Sequence, residues 1–73
     1  MAKMKIENFA KKLEVSCIYE YICQSAINGQ WSQVDRLTEK ARKCEGYNSN
    51  DFVYAIENNL SEGMQRSLLN RIL

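Results

Sequence analysis

Seventy-three residues make one domain at most, and a chain of that size hides only about 60–65% of its unfolded surface on folding, so its core is thin. Ten basic and nine acidic residues leave a net charge of +1, which offers no broad attraction for nucleic acid or an anionic membrane surface. No apolar run approaches the roughly 18 residues that span a bilayer, and the basic start is followed by mixed polar and apolar residues rather than by a secretory signal.

The chain has no proline, so nothing forbids helix from end to end. Ile6, Phe9, Ala10 and Leu13 recur at i, i+3, i+4 and i+7 and predict one apolar helical stripe, with Lys5, Glu7, Lys11 and Lys12 largely on the other side. Val15 and Ser16 offer either a break, with Ser16 capping a second helix, or a continuation in which Leu13, Cys17 and Tyr21 prolong the stripe. Residues 6–28 therefore form one helix or two. Over residues 17–28 the apolar face reads Ile18, Tyr21, Ile22, Ser25 and Ala26, and Asn28 with Gly29 stops the helix, since both tolerate positive φ at low cost.

Ser32 is placed to cap the next helix, with Asp35 near its positive dipole end. Val34, Leu37, Ala41 and Cys44 form its inner face, and Gly46 follows as a stop. The turn formers from Gly46 to Asn50 mark the clearest loop. Ser49 or Asn50 caps a third helix carrying Phe52, Ile56 and Leu60. Ser61 caps a last one carrying Met64, Leu68, Leu69, Ile72 and Leu73. Nothing reads as a strand. The expected fold is all-α: a single domain over residues 1–73, a small bundle of four to five helices built around an antiparallel helical hairpin.

The residues that carry chemistry elsewhere are sparse. With no histidine, acid–base work falls to Asp, Glu, Lys, Tyr or Cys, and Glu7, Glu14 and Glu20 show no spacing that implies a shared site. Cys17, Cys23 and Cys44 are odd in number and lack CxxC spacing, whereas a closed zinc site uses four Cys or His ligands. They read as small apolar residues of a reduced, cytoplasmic protein. No catalytic, cofactor or metal residue is expected.

Gly29 and Gly63 lie 34 residues apart, the period of tetratricopeptide arrays. With Trp31 two residues after the glycine, Ile18 in the first helix and Ala41 near the end of the second, residues 18–44 resemble a tetratricopeptide hairpin. The pattern departs at Ile22, Val34 and Thr38, where that family favours glycine, alanine and an aromatic, and the terminal proline is missing. The run from Phe9 through Ala10, Lys11, Lys12, Leu13, Glu14 and Val15 to Ser16 resembles the first helix and turn of a bacterial helix-turn-helix. There Glu14 replaces the turn glycine, and the would-be recognition helix over residues 17–26 has no Lys or Arg to meet phosphates. The resemblances imply a partner-binding hairpin and a DNA reader, respectively.

Trp31 has two readings. It staples the interhelical turn to the core with its indole N–H near water, or it joins Tyr19, Tyr47 and Tyr54 in an exposed apolar patch of the kind enriched at interfaces. The C-terminal segment, with Leu69 and Leu73, closes the core, forms a homodimer seam or docks a partner. The leading expectation is a small helical protein–protein interaction module, an adaptor, co-chaperone or regulator. It would bind another protein through an apolar helical face and use neither cofactor nor membrane. The alternative is a small helix-turn-helix transcription regulator, and a homo-oligomer is a third arrangement.

Overall fold

The computed structural model describes the backbone of residues 2–72 and the side chains of residues 11 and 13–72. Its elements are α1 (Ala2–Ile27), α2 (Trp31–Arg42), α3 (Ser49–Asn59) and α4 (Glu62–Ile72), with no strand among the described residues. The fold is all-α, a four-helix bundle measuring 42 × 21 × 19 Å. At 1.5 Å per residue α1 is about 39 Å long, which accounts for the long dimension.

Residues 6–28 resolve into one helix and its stop. Leu13, Glu14, Val15 and Ser16 include neither glycine nor proline, and α1 runs through them unbroken. Its buried face is Val15, Tyr19, Ile22, Cys23 and Ala26, at i, i+4, i+7, i+8 and i+11. The stripe expected inward from Leu13 through Cys17 to Tyr21 faces solvent instead. Leu13 is 52% and Tyr21 65% exposed, and Cys17 is exposed too. The reason lies further along the helix. A short connection folds α2 back on the C-terminal half of α1, where the Leu13 stripe runs into Gln24 and Asn28. The Val15 stripe stays apolar there, through Ile22, Cys23 and Ala26. Ile6, Phe9 and Ala10, the earlier members of the expected stripe, have side chains outside the described residues.

The hairpin turn is a Schellman motif. Gly29 takes φ +72°, its N–H reaches the Ala26 carbonyl at 3.1 Å, and the Gln30 N–H reaches the Ser25 carbonyl at 2.8 Å. This closure is tight enough that Gln30 ends one helix and begins the next: its carbonyl accepts from Val34 at 3.1 Å. Gln30 therefore occupies the N-cap, without a side-chain capping bond, and Ser32 lies inside α2 rather than capping it. Val34, Thr38 and Ala41 are buried, and Leu37 and Cys44 are half-buried against them.

Asn48, not Ser49 or Asn50, caps α3. Its backbone is extended at φ −144°, ψ 122°, and its side-chain oxygen accepts the N–H groups of Asn50 at 2.9 Å and Asp51 at 3.1 Å. Phe52, Ile56 and Leu60 follow at steps of four and are all buried. The Ser61 carbonyl then accepts the Gln65 N–H at 2.8 Å as α4 begins. The Gln65 amide donates back to the Leu60 carbonyl at 2.8 Å and closes the end of α3. Leu68 is the fully buried residue of α4, flanked by half-buried Met64, Leu69 and Ile72.

Candidate functional site

The aromatic residues expected to share a surface are divided among three places. Tyr19 is 1% exposed and belongs to the core, which corrects its place in an exposed patch. Its ring stacks on Phe52 at 4.9 Å between centroids, and Tyr47 meets it edge-on at 6.2 Å. The Tyr19 hydroxyl accepts the Asn48 N–H at 3.1 Å and faces the Asn48 carbonyl at 3.3 Å. A phenol on α1 thereby holds the residue that caps α3. Burial raises the Tyr19 pKa, the hydrogen bond with Asn48 opposing it and the nearby Tyr47, Asp51 and Cys44 adding to it.

Trp31, the first residue of α2, is half-buried against the core. The Arg71 guanidinium sits over its ring at 5.4 Å and is itself held by a two-pronged pairing to Asp35 at 3.0 and 2.9 Å. Trp31 therefore helps join α2 to α4 and is not a bare anchor. Leu69 is half-buried against the core, and Leu73 lies outside the described residues. In the cavity between α2 and α4, Arg42 donates to the Ile72 carbonyl, so both arginines there are engaged. The Thr38 hydroxyl is buried there with no partner among the described residues.

Among the described residues, Tyr54 is the one expected contact residue that stands in solvent, 67% exposed. It lines a groove of about 470 Å³ between α1 and α3, together with Ser16, Glu20, Asp51 and Asn58. A second hollow beside it shares Glu20 and Asn59 and adds Cys17, Tyr21 and Gln24. The two make a continuous surface on which Tyr21 and Tyr54 are the large apolar groups, bordered along α1 by Leu13. The charged residues that line the two hollows are Glu20 and Asp51, with no lysine or arginine among the lining residues. The face is aromatic, apolar and acidic.

Reading one apolar stripe per helix missed Leu13 and Tyr21 as surface residues. The available signal was that α1 carries two apolar stripes on opposite sides, of which a bundle of short helices covers one.

The cysteines differ by environment. Burial, helped by the Glu20 carboxylate, pushes the Cys23 thiol up to about 11, so it stays protonated and is a poor nucleophile at neutral pH. Among the described residues no group of three or more His, Cys, Asp or Glu is placed to hold a metal ion, and no helix is long and apolar enough to cross a membrane. No family model, no curated protein and no solved structure matches the chain.

Proposed function

We propose that the chain is a small helical protein-binding module that works through the outer face of α1 and the adjoining edge of α3. The observation that carries this reading is the exposure of Leu13 and Tyr21 on the side of α1 opposite the core. Apolar side chains presented along a helix at four-residue steps are what a partner helix or groove takes up, and the flanking Glu14, Glu20 and Asp51 supply a polar rim. Such a module serves as an adaptor, co-chaperone or regulator in a reducing cytoplasm, where Cys17, Cys23 and Cys44 remain thiols. The acidity of the face disfavours a phosphate backbone as its partner. α1 also runs straight through Glu14, where the helix-turn-helix resemblance puts its turn.

The test is capture from a lysate of the source cells by the tagged chain and by a Leu13→Glu/Tyr21→Glu variant, with helicity checked by circular dichroism. Because both residues are mostly exposed, the variant is expected to fold and to lose capture of the partner that the wild-type chain enriches. Trp31→Ala is expected to keep it. Undiminished capture by a folded double variant removes this face from the proposal.

A further inference from the structure

We propose that α4 is an exchangeable element: two copies of the chain trade it by straightening α3 and α4 into one continuous helix, which gives a domain-swapped dimer. The exchange concerns α2 and α4 and does not rest on the reading of the outer α1 face. Only Leu60 and Ser61 separate α3 from α4. The Leu60 N–H still bonds the Ile56 carbonyl at 3.0 Å, as it would inside a helix, and the chain leaves its helical course in the extended backbone of Leu60, at φ −123°, ψ 147°. Residues 49–72 contain no proline, and their one glycine, Gly63, lies in α4 rather than at the hinge. Helical backbone at Leu60 and Ser61 therefore makes one helix about 36 Å long. What holds the bend is a side chain. The Gln65 amide donates to the Leu60 carbonyl at 2.8 Å and to the Glu57 carbonyl at 3.3 Å. In the straight helix those two carbonyls accept the backbone N–H groups of Met64 and Ser61 instead, so straightening leaves neither unsatisfied.

The docking of α4 is the part that exchange repeats. Leu68 is its fully buried residue. Beyond the hinge its polar ties run to α2: Arg71 pairs with Asp35 and covers the Trp31 ring, and Arg42 donates to the Ile72 carbonyl. Packing between the two helices is incomplete, with a cavity of about 400 Å³ there and the buried Thr38 hydroxyl without a partner among the described residues. An element held by one buried leucine and by surface ion pairs undocks at small cost. The vacated seat takes back a leucine in the place of Leu68 and an arginine that reaches Asp35 and Trp31, and α4 of a second copy supplies both. The docking contacts of the bent monomer recur in the swapped pair, so the balance between the two forms is set at the hinge and by concentration. A connection of two residues leaves little slack, which favours exchange. The pair is two-fold and closes at two copies.

The experiment is sedimentation equilibrium of the full chain from micromolar to millimolar concentration under reducing conditions, with circular dichroism of each variant. A short connection holds α4 on its own copy at an effective concentration in the millimolar range. The wild-type chain is therefore expected to be monomeric at micromolar concentration and to form dimer towards millimolar. Gln65→Ala removes the bonds that hold the bend and is expected to tighten dimerisation roughly thirtyfold, one net hydrogen bond in each of two hinges. Ser61→Pro is expected to abolish the dimer, because proline favours extended backbone at Leu60 before it and has no N–H for the Glu57 carbonyl in a straight helix. A third arm is independent of how that variant folds. Asp35→Arg and Arg71→Asp each set like charges at the α4 seat of their own copy, and exchange between them restores opposite charges at both seats. Their equimolar mixture is expected to dimerise at least about tenfold more tightly than either alone. A Gln65→Ala chain that stays monomeric to millimolar concentration, a dimer that survives in folded Ser61→Pro, or a mixture no tighter than its parts overturns the proposal. A dimer kept in Ser61→Pro but lost in Leu13→Glu/Tyr21→Glu also overturns it and assigns the contact to the outer face of α1.

Discussion

At Gly29 the backbone stands at φ +72° with no atom within 4 Å of where a Cβ would lie. Alanine there meets no clash, yet it has to adopt left-handed backbone, at a cost of about 1–2 kcal/mol. Gly63 has equally open surroundings but lies in ordinary helical backbone at the second position of α4. Alanine there mainly removes freedom from the unfolded chain and gains about 0.5–1 kcal/mol. Urea denaturation of the two single variants checks this. Changes of the same sign would show that the hairpin turn does not depend on positive φ. Tyr19 and Tyr54 make a similar pair, since they are chemically one residue, and one is walled in by Phe52 and Tyr47 while the other faces water. Nothing local to either tyrosine distinguishes them. What does is whether the position on its helix faces another helix.

Among the elements, α2 and α3 were legible because each carries a single apolar face: Val34, Leu37 and Ala41 on one, Phe52, Ile56 and Leu60 on the other. The direction of α1 was not, because both of its stripes satisfy helical spacing and its contacts with α2 choose between them. The caps were misplaced by one or two residues for related reasons. The Schellman closure leaves Gln30 shared between two helices, and the Tyr19 hydroxyl, 29 residues away in sequence, fixes Asn48. α4 is the most lightly held element. Leu68 is its one fully buried residue, and its polar ties through Arg71 to Asp35 and through Arg42 to the Ile72 carbonyl lie at the surface, where ion pairs contribute about 0–1 kcal/mol. Native-state hydrogen exchange is therefore expected to show α4 amides opening well below the global unfolding free energy, and those around Ile22 and Ala26 in α1 opening only with it. Equal protection along both helices would show α4 to be part of one cooperative unit.

For the molecule as a whole, the buried titratable groups predict a one-sided pH response. The Cys23 thiol is raised from an ordinary 9.0 to about 11, and burial raises Tyr19 as well. Both are neutral when protonated, so above pH 9 the unfolded chain gives up the Cys23 proton first and binds fewer protons than the native one. The contribution of Cys23 is then fully present below pH 9 and is lost between about pH 9 and 11, at up to about 1.4 kcal/mol per pH unit, and Tyr19 adds to the loss above its ordinary 10.0. Thermal unfolding across that range should show the loss, and Cys23→Ala should make it shallower. An unchanged slope would place the thiol outside the linkage.

Helix content, the absence of strands, the turn at Gly29 and the inner faces of α2, α3 and α4 were determined by the sequence alone, because each depends on residues within a few turns of one another. The aromatic core around Tyr19, the engagement of Trp31 by Arg71 and the exposure of Leu13 and Tyr21 were decided only by tertiary structure. Each depends on which side of α1 the other helices cover. A helix with two apolar stripes does not specify that on its own, and the choice is made where α2 folds back against the half of α1 that keeps only one of them.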